Sequence, residues 1–332
     1  MIGFLDIASK PTTMQTTSTL TTRDLWDHLL ARIGYKRGQH RVQPGLYALG
    51  NPNSTSPVFV TANYRLSFDA LRSNLGSLDA YILVLDTQGI NVWCAAGKKT
   101  FGTDEVVMRL AATQLNQLVD RKVLILPQLG AAGVSAHEVK RRSGFKVEYG
   151  PVRAADLGDY LATHQATPAM RKVGFTLRDR MVLIPVEVTQ LLPKFLLVAL
   201  VAYFLLGGWI PALAVLATFV SSVILFPILL PWLPTANFSS KGFILGYLTA
   251  LPFFLVALTR HTDWSWYRQL GQATGYLLSL PAVIAFIALN FTGTSTFTSK
   301  TGVRREMNTF IPAMAWTFGI GILLLSVFTF FH

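Results

Sequence analysis

Ala80-Tyr81-Ile82-Leu83-Val84-Leu85, then Asp86-Thr87-Gln88-Gly89, then Asn91-Val92-Trp93-Cys94-Ala95-Ala96-Gly97-Lys98, is the stretch on which the reading of this chain turns. Its first six residues are apolar without a break. A strand with one wet face would alternate apolar and polar, so an unbroken run suits a strand buried on both faces. The same kind of run recurs on either side. Pro57-Val58-Phe59-Val60-Thr61 precedes it, and Ser67 to Leu75 between them suits a helix ending near Gly76. Thr103-Asp104-Glu105 opens another helix, a capping Thr followed by acids in the first turn, which extends to about Val119. Lys122-Val123-Leu124-Ile125-Leu126 is a third strand, Ser135 to Ser143 a helix stopped by Gly144, and Phe145-Lys146-Val147-Glu148-Tyr149 a fourth strand. Strand and helix alternate, which predicts a parallel sheet covered on both faces, an α/β Rossmann-like domain. Such sheets bind ligands beyond the carboxyl ends of their strands. Three loops emerge there: Thr61-Ala62-Asn63-Tyr64, Asp86 to Thr103, and Pro127 to Gly133.

Outward from this core the chain changes character. Met1 to Leu20 is polar and Thr-rich, without the basic start and apolar centre of a signal peptide, and is expected to be a disordered lead. Residues 22–33 suit a short amphipathic helix. Gly34 to Gly50 reads as loop, with Pro44-Gly45 as a turn signal. Of the 29 Lys and Arg, 22 lie in residues 1–180, as do 14 of the 17 Asp and Glu; the net charge of +12 splits into +8 and +4. The second part carries five apolar segments, near 191–209, 210–230, 242–259, 270–291 and 309–331. Each approaches the roughly 20 residues that cross a bilayer. The first is interrupted by Pro193 and Lys194, and the turn Gly207-Gly208-Trp209-Ile210-Pro211 leaves a re-entrant hairpin open as an alternative.

The expected division is a lead at 1–22, an α/β domain at 23–170, a basic juxtamembrane linker at 171–190 and an all-α transmembrane domain of about five helices at 191–332. Arg171, Lys172, Arg178 and Arg180 precede the first span, where they can meet anionic headgroups; Lys241, Lys300, Arg304 and Arg305 fall on the same side. The other side has Arg260 and Arg268, with Trp264-Ser265-Trp266-Tyr267 as an aromatic belt. The positive-inside rule therefore puts the α/β domain in the cytoplasm, beside the inner membrane. The span interiors carry essentially no charge, which favours anchoring or partner docking over transport. No Arg/Lys stripe with interleaved aromatics points to nucleic acid.

Several familiar sites fail on their residues. Gly97-Lys98-Lys99-Thr100 lacks the earlier glycine of a phosphate loop, since position 92 is Val, and Lys99 stands where Ser or Thr is needed. Gly130-Ala131-Ala132-Gly133 is a fragment of a dinucleotide fingerprint. His137-Glu138-Val139-Lys140-Arg141 is not a His-Glu-x-x-His zinc motif, and the Asp-x-His-x-x-Gly motif of histidine-ligated cobalamin carriers is missing. One Cys excludes an intrachain disulfide and a four-Cys cluster within this chain. That Cys94 can be read as a small residue packed in a core, or as a reactive thiol. It sits in a loop at the ligand edge, with Asn91, Trp93 and Lys98 as neighbours and small residues Ala95 and Ala96 after it; in the first turns of a short helix it would face unpaired N–H groups that favour a thiolate.

The segment Asn91 to Lys98 resembles the cap-helix motif of the HgcA family, the membrane corrinoid proteins of microbial mercury methylation, whose soluble domain is related to the corrinoid iron–sulfur protein of acetyl-CoA synthesis. The resemblance continues through Val60 to Asp69, Thr100-Phe101-Gly102-Thr103, Leu126 to Gly130, His137 to Lys140 and Tyr149 to Ala154. Lys99 and Ala132 depart from it, where glycine and proline are usual. It implies a cobalamin-type corrinoid whose cobalt takes Cys94 as axial ligand, a soft thiolate donor suited to a polarisable metal. It implies that Asn91, Val92, Trp93, Ala95, Ala96, Gly97 and Lys98 surround that ligand, and that Thr61, Asn63, Thr87, Gly89, Gly130 and Gly133 meet the corrin edge or its nucleotide tail. The implied activity is methyl transfer from cobalt to Hg(II), with a methyl-donor methyltransferase and an HgcB-type ferredoxin carrying two 4Fe–4S clusters as partners. A corrinoid methyl carrier with a different acceptor, and a transporter with a cytoplasmic regulatory domain, are the alternatives.

Overall fold

The structure, a computed structural model, describes residues 12–260, 263–294 and 300–330. The chain divides into two compact units, one of residues 1–31 and 35–173, the other of residues 32–34 and 174–332.

The first unit is a six-stranded sheet with helices on both faces. Its elements are β1 (Thr13–Thr16), α1 (Thr22–Arg32), β2 (Gly45–Leu49), β3 (Val58–Ala62), α2 (Arg65–Asn74), β4 (Ala80–Leu85), α3 (Val92–Lys98), α4 (Thr103–Thr113), β5 (Val123–Leu126), α5 (Ala136–Ser143), β6 (Lys146–Tyr149) and α6 (Leu157–Thr163). The spatial order is β1-β2-β4-β3-β5-β6. From β4 to β6 the strands run parallel, with Val60 opposite Leu83 and Ile125 opposite Glu148. The period of two sorts each buried run between two cores. Val58, Val60, Leu83, Leu85, Leu124 and Leu126 pack under α3, α4 and α5 with Val92, Ala95, Val106 and Val139. Phe59, Ile82, Val84 and Ile125 pack under α2 and α6 with Phe68, Leu71, Leu157 and Tyr160.

Three expectations need correction. The sheet is mixed, because β2 joins antiparallel to β4, Leu46 opposite Leu83. Its five residues are all buried, yet they lie in the stretch read as loop; the Pro44-Gly45 turn signal marks the start of the strand, not the middle of a loop. Second, the expected disordered lead holds a strand at Thr13–Thr16, parallel to β2; residues 1–11 of that lead lie outside the described residues. Third, α4 stops at Thr113 and not near Val119, since Gln114 turns left-handed at φ 49° and Leu115–Gln117 form a 3-10 turn.

The Thr-rich segment is ordered by a partner that local sequence does not show. Arg72 of α2 is buried; its Nη1 donates to Thr17 O at 2.7 Å and Thr19 O at 2.9 Å, its Nη2 to Asp24 at 2.8 Å and its Nε to Asp69 at 2.6 Å. Asp24 also accepts from the N–H and hydroxyl of Thr21, both at 2.9 Å, which caps α1. Burial pushes the Asp24 carboxyl up, but Thr21 and Arg72 outweigh it and hold it at about 2, below the ordinary 3.8. A depressed carboxyl stabilises the fold above its unfolded value and loses that contribution as pH falls toward the folded one. Acid unfolding of the β1–α1 segment is therefore expected between about pH 4 and pH 2, with up to about 2 kcal/mol involved. Asp24→Asn should flatten that limb in an acid titration of amide-exchange protection; an unchanged limb would refute the assignment.

The second unit is helical: α7 (Leu177–Met181), α8 (Ile184–Leu205), α9 (Trp209–Phe219), a π-helical turn at Val220–Leu225, α10 (Phe226–Leu229), α11 (Phe238–Thr259), α12 (Trp266–Ala288) and α13 (Lys300–Phe330). Among the described residues, five helical segments are long and apolar enough to cross a membrane: Leu177–Leu205, Trp209–Leu229, Phe238–Thr259, Trp266–Thr292 and Thr301–Phe330. The first begins earlier than the sequence suggests, since Pro185 falls in the first helical turn, where its missing N–H costs nothing. Small residues let α11 and α12 approach: a Cβ on Gly242 would meet the Ala285 backbone at 2.5 Å, and one on Gly246 would meet Pro281. Two buried charges finish helix ends. Lys241 Nζ donates to Leu230 O at 2.8 Å and Leu233 O at 2.5 Å, just past α10, and Glu306 of α13 accepts the Ser239 N–H at the start of α11 at 2.5 Å. Each charge thus completes a helix terminus.

Candidate functional site

The site grows from the turn after β4. Asn63, at the end of β3, is buried, and its Oδ1 accepts the N–H of Thr87 at 3.0 Å and of Gly89 at 2.9 Å. The Thr87 hydroxyl lies 2.9 Å from the same oxygen and 2.7 Å from Ile90 O, so its one proton serves either acceptor. Asn63 Nδ2 donates to Asp86 at 3.1 Å. Gln88 and Gly89 are both left-handed, at φ 60° and 73°, which lets the six residues between β4 and α3 turn the chain from strand into helix. Asn63 and Thr87 therefore direct their polar groups into this turn, and Gly89 supplies its conformation.

The turn delivers Asn91 as the cap of α3. Asn91 Oδ1 accepts the Cys94 N–H at 2.9 Å, and Lys99 closes the helix at φ 66° with its N–H on Ala96 O. Glycine adopts that conformation without penalty, so the departure at Lys99 carries a small strain. Val92, Ala95 and Ala96 are buried against the sheet, while Cys94, Gly97 and Lys98 are exposed. Cys94 is a free thiol in the first turn of α3. The rear of the helix rests on glycines. A Cβ on Gly130 would strike the Phe101 ring at 2.6 Å, and one on Gly133 would strike Phe101 O and come within 2.9 Å of Ala96 Cα. These two glycines let the 128–133 turn pack beneath α3.

At the carboxyl edge of β3, β5 and β6 lies a cavity of about 300 Å³. Asn91, Val92 and Trp93 line it on one side and Thr61 on the sheet; Leu71, Pro127, Leu129, Pro151 and Leu157 make the rest of its wall chiefly apolar. Of the residues expected at the site, the structure gathers Thr61, Asn91, Val92 and Trp93 around this cavity and puts Cys94 on the exposed face of the same helix. It sets Asn63, Thr87 and Gly89 in the supporting turn, and Gly130 and Gly133 behind the helix. Pro127 opens one of the three loops expected at the ligand edge, whereas the sequence does not single out Pro151 and Leu157 as cavity residues. The signal available for Pro151 was position, since Gly150-Pro151 follows β6 as Pro127 follows β5.

Residues 35–161 match the CdhD family model, the CO dehydrogenase/acetyl-CoA synthase delta subunit. Among curated proteins, an acetyl-CoA decarbonylase/synthase complex subunit gamma of Methanothermobacter thermautotrophicus is 33% identical over 129 residues, 38% of this chain and 27% of that protein. The corresponding subunit of Methanopyrus kandleri is 31% identical over 127 residues, again 38% and 27%. The corrinoid/iron-sulfur protein large subunit of Moorella thermoacetica is 27% identical over 143 residues, 40% of this chain and 32% of that protein. The chain spans about a third or less of the length of these relatives. The matched stretch is the α/β unit from the end of α1 to α6, with α3 and the cavity inside it.

Proposed function

We propose that the α/β unit binds a cobalamin-type corrinoid, that Cys94 is the axial ligand of its cobalt, and that the protein transfers a methyl group to inorganic Hg(II). The observation that carries this is α3 itself: a helix capped by Asn91 that lines an apolar cavity with Asn91, Val92 and Trp93 and carries an exposed soft donor, Cys94, on another face, within the stretch similar in sequence to a corrinoid/iron-sulfur protein large subunit. The residues present fit the group. Cys94 is an exposed free thiol that could donate to the cobalt of such a group, and Asn91, Val92 and Trp93 of the same helix line the cavity at the sheet edge. A thiolate suits a polarisable metal. When bound, the corrinoid supplies a cobalt-bonded methyl group.

The chain's own residues set the conditions for that chemistry. Asn91 fixes the Cys94 backbone by taking its N–H, so the thiol points from a defined turn and not from a mobile loop. Val92 and Trp93 present apolar surface toward the cavity, with Thr61 as its polar floor. Lys98 is exposed one turn after Cys94, where it adds positive field. Reducing equivalents must come from elsewhere, because the chain holds one Cys and cannot ligate a four-Cys cluster alone. A ferredoxin of the HgcB type with two 4Fe–4S clusters fits that need, and a methyltransferase would reload the methyl group. The five apolar helices, with cations weighted to the side of the α/β unit, would hold the protein in the inner membrane with that unit in the cytoplasm.

The test begins with the visible spectrum of the purified full-length chain after exposure to corrinoid. A bound corrinoid band is expected, followed by methylmercury when methyl-loaded protein meets Hg(II). No band would sink the whole reading. A band without methylmercury would leave a methyl carrier with another acceptor.

A further inference from the structure

The first membrane-spanning segment opens on a feature that the proposed reaction does not use. The short helix α7 is held by a capping box: Asp179 Oδ2 accepts the N–H and the hydroxyl of Thr176, both at 2.9 Å. Beside it lies a shallow open depression of about 440 Å³ lined by Arg32, Leu177, Arg178, Met181, Val182 and Pro185. Its floor is apolar and uncovered, with Leu177 42% exposed, Met181 50% and Val182 37%. Neither Arg32 nor Arg178 has an acidic partner among the described residues.

The next arginine, Arg180, lies outside this depression. Arg180 is buried, and its Nε and Nη1 have no hydrogen-bond partner among the described residues. Its Cζ lies 5.8 Å from the ring of Trp232, which is 67% exposed. Trp at such a position is at home among headgroups, with its ring in the apolar layer and its N–H in the wet one.

We infer that this depression binds an anionic phospholipid. The phosphate lies against Arg32 and Arg178, and the upper acyl chain covers Leu177, Met181, Val182 and Pro185. A small inorganic anion would satisfy the arginines but leave the apolar floor bare, and a neutral lipid would do the reverse. Only an amphiphile with an anionic head answers both. The site is independent of corrinoid binding, and its consequence is a preferred lipid at the point where the chain enters the bilayer.

The experiment uses the full chain in nanodiscs of phosphatidylcholine with a minor fraction of phosphatidylglycerol, and reads the lipid retained after detergent washing by native mass spectrometry. Wild-type protein should keep phosphatidylglycerol in excess over phosphatidylcholine. Arg32→Gln and Arg178→Gln should each lower that preference about fivefold, as expected of one cation at a lipid surface. Arg178→Lys should retain most of it. Both arginines are on the rim of an open depression, so the fold should survive their loss; unchanged helical circular dichroism checks that. Equal retention of the two lipids by wild type would overturn the inference, as would a double variant that retains phosphatidylglycerol like wild type. Displacement of the lipid by millimolar inorganic phosphate would also overturn it, since the site would then be one for a small anion.

Discussion

Cys94→Ala should lower methyl transfer at least about 100-fold, since loss even of outer-shell partners of a metal ligand costs 10–100-fold. It should also shift the visible band of the bound corrinoid, because the axial donor changes. Stability should barely move. Cys94 is exposed and its side chain caps nothing; the helix start is secured by Asn91 accepting the residue-94 N–H, which alanine still donates. Surface substitutions of this kind stay within about 0.5 kcal/mol. The pairing of a large functional loss with an intact fold is the informative result. Cys94→His, which restores a donor of another type, should recover an axial band at a new position. If Cys94→Ala kept both the wild-type spectrum and the wild-type rate, the axial role would be wrong, whatever the corrinoid content.

The α/β class and the helical second part were legible because they rest on patterns that local sequence carries. Unbroken runs such as Ala80 to Leu85 announce strands buried on both faces, and Ser135 with Gly144 marks both ends of α5 through the capping bond to Glu138 N–H and the left-handed φ of 77°. What stayed hidden depends on partners distant in sequence. β1 is three polar residues and Met14; it exists because β2 offers an edge, Met14 packs against the core and Arg72 binds the carbonyls behind it. Lys241 reads as a loop-side charge, but with Glu306 it finishes helix ends that come together only in the folded bundle. At the site the residue types were visible and their division of labour was not. Asn63, Thr87, Gly130 and Gly133 sit where ligand contacts are expected, yet in the structure their contacts run to the turn and to the helix above it.

Asn63 should prove the most sensitive of these positions. Asn63→Ala strands two backbone N–H groups, those of Thr87 and Gly89, in a turn with little room for water. Each buried unsatisfied donor costs about 1–3 kcal/mol, so the expected loss for two is about 2–6 kcal/mol, a large share of a domain's margin. The damage should be local first. Amide exchange should accelerate at Thr87, Gly89 and Cys94, and the Cys94 thiol should react faster with alkylating reagents as α3 loses its fixed start. Asn63→Asp separates the two ends of the amide. It keeps the acceptor for Thr87 and Gly89 but replaces the donor to Asp86, 3.1 Å away, with a second carboxylate. Two carboxylates at that distance cannot both ionise cheaply, so one takes up a proton more readily in the folded state than in the unfolded chain. Its folded pKa is thereby raised, and the sign follows: the variant approaches wild-type stability in acid and loses ground as pH rises through that value. A pH series of exchange protection across residues 86–94 measures this. Asn63→Asp behaving like wild type at neutral pH, or like Asn63→Ala at every pH, would show that the amide is not the brace that aims Cys94.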